Sequence, residues 1–61
     1  MKSQISKKLF DHIVDDISHT CIRECEHWVQ YEYYIKELDT VLLKLNVYAN
    51  GVSYWIRDTN D

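Results

Sequence analysis

Along the first part of the chain, apolar residues recur at three- and four-residue steps. Leu9, Phe10, Ile13, Val14, Ile17, Cys21 and Cys25 share one side of a helical projection, and Asp11, Asp15, Asp16, Arg23 and Glu26 fall mostly on the other. This spacing predicts an amphipathic helix from about Ser3 to Glu26, with Ser3 as its cap and no Glu or Gln three residues on to complete a capping box.

From Trp28 the period changes. Val29, Tyr31, Tyr33 and Ile35 alternate with Gln30, Glu32 and Lys36, in a stretch rich in aromatic and β-branched residues. A second run from Val41 to Ala49 sets Leu43, Leu45, Val47 and Ala49 against Lys44 and Asn46, and a third, Val52 to Arg57, alternates again after Asn50-Gly51. Asn-Gly between alternating runs signals a tight hairpin, because both residues accept positive φ. The expected fold is α+β: the helix (about 3–26) packed on a three-stranded antiparallel meander (about 28–36, 41–49 and 52–58), the whole chain forming one small domain. With Asn50-Gly51 as a two-residue loop, Leu45 faces Ile56 and Val47 faces Tyr54. With Lys36 to Thr40 as a five-residue loop, Ile35 faces Val41 and Tyr33 faces Leu43. Both registers bury the same side, leaving Glu32 opposite Lys44 on the outside.

A second pattern competes. Phe10, Val14, Ile17, Cys21, Trp28, Tyr31, Ile35, Leu38, Leu42 and Leu45 also occupy a and d positions of one heptad, interrupted at Glu24. That alternative is mostly α: one long helix (about 3–46) that must oligomerise to bury its stripe.

Composition narrows the function classes. The chain has 61 residues, 46% hydrophobic and 13% aromatic, too apolar for a disordered tail. It contains no apolar run of membrane-spanning length, and its polar start argues against export, so a cytoplasmic setting without membrane contact is expected. A formal net charge of −3 argues against a general nucleic-acid binder. Cys21 and Cys25 sit within His19-Thr20-Cys21-Ile22-Arg23-Glu24-Cys25-Glu26-His27. On a helix the two histidines project away from the thiols, so no four-ligand zinc site closes within one chain. Only a two-fold pair of chains could pool Cys21 and Cys25 around a metal. Asp11, His12, Asp15, Asp16 and His19 supply acids and imidazoles, but no nucleophile motif, phosphate loop or HExxH accompanies them. The reading is non-catalytic, with no cofactor.

What remains is a surface. One helix cannot cover both faces of a sheet, so Trp28, Tyr34, Tyr48 and Trp55, with Lys36, Lys44 and Arg57 nearby, are expected to form an exposed partner-binding face. The acidic residues Asp11, Asp15, Asp16, Glu24 and Glu26 offer a second face, on the helix, that could imitate nucleic-acid phosphates. The expected function is a protein-binding module, a small regulator or inhibitor of the kind that viruses and mobile elements direct at host factors, working as a homo-oligomer. Single-stranded nucleic acid, stacked on the tyrosines and tryptophans, is the alternative partner.

Overall fold

The computed structural model describes Lys2–Thr59. Its elements run β1 (Lys2–Ile5), α1 (Lys7–Val14), β2 (Cys21–Cys25), β3 (Trp28–Ile35), a 3-10 turn (Lys36–Leu38), β4 (Thr40–Val47) and β5 (Gly51–Asp58). All strands join one antiparallel sheet in the order β1-β5-β4-β3-β2. The α+β class stands, as a mainly β protein whose described residues form one short α-helix. The meander expected from residue 28 onward forms the three inner strands of a five-stranded sheet, with β1 added beside β5 and β2 beside β3. The long heptad helix does not form.

The expected helix of about 3–26 is cut at both ends. Lys2–Ile5 pairs with β5, and the cap is Ser6, whose extended backbone (φ −77°, ψ 156°) lets its Oγ accept from the Leu9 N–H at 3.1 Å. At the other end the Asp15 N–H bonds the Asp11 carbonyl, and Asp15-Asp16 places two negative charges where the helix dipole is already negative. Ser18, His19 and Thr20 follow, all weak helix formers, and the chain extends into β2.

Phe10 and Val14, one turn apart, bury against Ile35 and Leu42. Ile5, Ile13, Tyr33, Tyr54 and Ile56 surround this core, and the Phe10 ring stands edge-on to Tyr33 at 5.3 Å. His19 lies on the same side, its ring 5.5 Å from that of Tyr31 and 6.2 Å from that of Tyr33.

The registers differ from those expected, and the difference is confined to β4. Val47 pairs with Gly51, so Tyr48, Ala49 and Asn50 form the loop, closed by the Asn50 N–H on the Val47 carbonyl. Of the Asn50-Gly51 pair, only Gly51 takes positive φ, at 94°. Leu45 therefore meets Ser53, not Ile56. At the other end Asp39 adopts φ 48°, and Ile35 meets Thr40, not Val41. Each shift is an odd number of residues, and an odd slip moves a strand's side chains to the opposite face. Tyr33, Tyr54 and Ile56 stay beneath the helix, but on β4 it is Leu42 that joins them, while Val41, Leu43, Leu45 and Val47 turn away.

Helix length explains why this arrangement is tolerated. Eight helical residues span about 12 Å, against about 26 Å for an eight-residue strand. The helix therefore covers only part of its face. Lys44 and Asn46 share that face but keep partial solvent contact, and the Lys44 ammonium sits over the Tyr31 ring at 5.9 Å.

The open face of the sheet as a candidate interface

Pairing places Val41, Leu43, Leu45 and Val47 in a row along the central strand, on the face opposite the helix. β3 adds Trp28, Gln30, Glu32 and Tyr34 on one side, and β5 adds Ser53, Trp55 and Arg57 on the other. The outer strands contribute Lys2 and Gln4 from β1, and Cys21, Arg23 and Cys25 from β2. The result is an aliphatic stripe with an aromatic and polar border.

Glu32 organises the middle of this face. It is 6% exposed and lies opposite Leu43. Arg23 Nε donates to its Oε2 at 2.5 Å, Gln30 Nε2 donates to the same oxygen at 3.1 Å, and Arg57 Nη2 reaches Oε1 at 3.4 Å. Since Arg57 is opposite Val41, this last contact crosses β4 between Val41 and Leu43. It helps explain why Val41 and Leu43 are 9% and 2% exposed on a face without a helix. Burial pushes the Glu32 carboxyl up. The hydrogen bonds from Arg23 and Gln30, with the charges of Arg23 and Arg57, outweigh it and hold the group below the usual range of a glutamate.

Around the rim, the Lys2 ammonium lies 5.2 Å from the Trp55 ring centre, and Trp55 Nε1 donates to Ser53 Oγ at 2.9 Å. The Tyr34 hydroxyl donates to Asp39 Oδ1 at 3.2 Å; that hydrogen bond, with burial and the neighbouring acids, raises the phenol above its usual value. None of the two tryptophans and five tyrosines is fully buried, and Tyr34 and Tyr48 are plainly exposed.

Of the residues expected on the partner face, Trp28, Tyr34, Trp55 and Arg57 are brought together. Lys44 is not, because the β4 flip puts it on the helix side. Lys36 lies in the 3-10 turn and Tyr48 in the β4–β5 loop, at opposite ends of β4. The acidic set does not form one helical face. Asp11 is on α1 and paired with Lys7 at 2.6 Å, Asp15 and Asp16 follow the helix, Glu24 is on β2, and Glu26 is in the β2–β3 turn.

Cys21 and Cys25 are free thiols on one strand, four residues and roughly 13 Å apart. That distance replaces the helical juxtaposition expected of them and prevents their sharing a metal within one chain. Among the described residues, no group of three or more His, Cys, Asp or Glu side chains is placed to hold a metal ion. A shallow depression on the outer side of α1 is lined by Ser6, Lys8, Leu9, Asp11 and His12. Among the described residues no helix is long and apolar enough to cross a membrane.

Sequence reading missed the aliphatic stripe and the Arg23–Glu32–Arg57 cluster. The alternation in β3 did mark Glu32 as facing Arg57's side of the sheet, but nothing local in Val41-Leu42-Leu43 says which leucine turns inward. In comparisons with known proteins, no family model matches the chain, and no curated protein or solved structure matches it.

Proposed function

We propose that this chain is a non-catalytic protein-binding module, a small regulator or inhibitor that docks a larger protein on the open face of its sheet. The observation that carries this reading is the row Val41, Leu43, Leu45 and Val47, flanked by Trp28, Tyr34 and Trp55, on the side away from α1. Aliphatic centre and aromatic rim are the composition of interface cores, where rings bury much area at low rotamer cost.

Charge refines the partner. The strand residues on this face carry Lys2, Arg23 and Arg57 against Glu32 alone, in a chain of formal net charge −3. A partner with an apolar patch edged by carboxylates fits that balance. Single-stranded nucleic acid fits less well. Arg23 and Arg57 are both engaged by Glu32, and stacking on the rings would need cations free for phosphates.

The test is a double substitution, Trp28→Ser with Tyr34→Ser, expressed in the native host beside Lys8→Ser on the outer side of α1. The face variant is expected to keep cooperative unfolding and lose the co-purifying protein, while the helix variant keeps it. Retention by the face variant, or equal loss by both, contradicts the proposal. A fluorescence titration of the tryptophans with single-stranded RNA and DNA at low salt is expected to show no change; saturable quenching would favour nucleic acid instead.

A further inference from the structure

β2 is an edge strand: it pairs with β3, and among the described residues nothing pairs with its other side. Ile22, Arg23, Glu24 and Cys25 are all exposed. An uncovered edge offers a row of backbone donors and acceptors to another strand. Which residues offer them follows from the hairpin. Cys25 and Trp28 close the two-residue turn Glu26–His27, so they form a hydrogen-bonded pair. Alternation then points the backbone groups of Cys25, Arg23 and Cys21 toward β3, and those of Ile22 and Glu24 outward.

The sequence of this edge, Cys21-Ile22-Arg23-Glu24-Cys25, is symmetric about Arg23 in its thiols. We propose that β2 pairs with β2 of a second copy, antiparallel and two-fold about Arg23, and that this pairing sets each Cys21 against the partner's Cys25. In that register the outward backbone groups of Ile22 meet those of the partner's Glu24, completing hydrogen-bonded pairs. Cys21 and the partner's Cys25 fall at a non-hydrogen-bonded pair, where Cα atoms lie about 4.5 Å apart, within the roughly 4.4–6.8 Å that a disulfide spans.

Repulsion at the dyad is offset in part. The two Arg23 guanidiniums approach each other, but each is already hydrogen-bonded to its own Glu32. The other edge is a poorer template, since β1 has four residues and carries Lys2. Pairing through β2 also leaves the open face free, and places the two copies' faces side by side on one continuous sheet. A bivalent partner surface would then be engaged twice.

The pair of copies is also an oxidisable one. With a small-molecule disulfide such as oxidised glutathione, the Cys21 thiolate attacks one sulfur and expels a glutathione thiolate. The partner's Cys25 thiolate attacks Cys21 in the resulting mixed disulfide and expels the second. Two protein thiols lose two electrons and two protons, and one oxidised glutathione becomes two reduced ones. The dyad repeats the step, so two bonds form per dimer. One chain cannot close this bond alone, with its thiols roughly 13 Å apart.

Crossed serine variants test the register. The full chain is treated with oxidised glutathione and resolved by non-reducing electrophoresis and intact mass. The wild type is expected to give a dimer two chains in mass, less four hydrogen atoms. Cys21→Ser alone and Cys25→Ser alone are expected to give no covalent dimer, because each remaining thiol faces a serine. Mixed in equal amounts, they are expected to give a heterodimer with one bond. Under reductant, light scattering is expected to show a mass rising toward two chains with concentration. Linking of either single variant as readily as the mixture, no linking in the mixture, or a monomer at every concentration under reductant would overturn the proposal.

Discussion

Glu32 is the side chain whose removal discriminates best between a working charge cluster and a decorative one. Replacing it with glutamine keeps the shape and one accepting oxygen, so the loss isolates the charge. Arg23 is mostly in solvent, and its share is small after screening. Arg57 is different: its side chain is 22% exposed and that of Glu32 9%. A hydrogen bond between charged groups in such surroundings contributes about 1.5–3 kcal/mol. The 3.4 Å separation and the oxygen retained by glutamine place Glu32→Gln at about 1–2 kcal/mol of lost stability. For a domain of this size that lowers Tm by about 5–15 °C. The assay is thermal unfolding followed by tryptophan fluorescence, over a pH series. The sign follows from the depressed carboxyl. A free glutamate titrates near about 4.3, and the folded group titrates below that. The stabilisation is therefore complete above the unfolded value and is lost as pH falls through the folded one. The gap between wild type and Glu32→Gln is expected to be full at neutral pH and to close in acid. A variant as stable as wild type at neutral pH, or a gap of constant size as the wild type acidifies, would refute the reasoning.

Other substitutions probe the frame. Leu42→Ala empties the fully buried centre of the core beneath α1 and is expected to cost about 2–5 kcal/mol in chemical denaturation. Gly51→Ala meets nothing within 4 Å, so its cost is purely the positive φ of 94°, about 1–2 kcal/mol by the same measurement. Ser6→Ala removes the helix cap and is expected to cost about 1 kcal/mol, with faster amide exchange in the first turn of α1 as a local signature. Leu45→Lys, on the half-buried part of the outer stripe, is expected to abolish partner binding with a smaller loss of stability than Leu42→Ala.

How much of this could be read beforehand differs by strand. β5 alternates, and β3 does so apart from Tyr34; their faces are as the pattern requires, with Tyr33, Tyr54 and Ile56 under the helix and Trp28 and Trp55 away from it. β4 reads Thr40-Val41-Leu42-Leu43-Lys44-Leu45-Asn46-Val47, with aliphatic residues on both sides of its pleat, so hydrophobicity alone does not choose a register. The choice is made by backbone geometry at its two ends, Asp39 in the left-handed region and Gly51, but not Asn50, at positive φ. Spacing alone carries the helix past Val14, because Ile17, Cys21 and Cys25 continue its rhythm. Asp15-Asp16 at the end of α1 was the available stop signal, and the apolar rhythm masked it. That same overextension gathered the carboxylates onto one helix and set the cysteines side by side, neither of which survives a strand at residues 21–25.

Coverage of the open sheet face by a partner is the proposal that a photo-crosslinker tests most directly. With p-benzoylphenylalanine in place of Tyr34 on that face, and separately in place of Lys8 on the outer side of α1, irradiation in the native host is expected to yield a discrete protein adduct from position 34 and none from position 8. An adduct from position 8 with none from position 34 would contradict it.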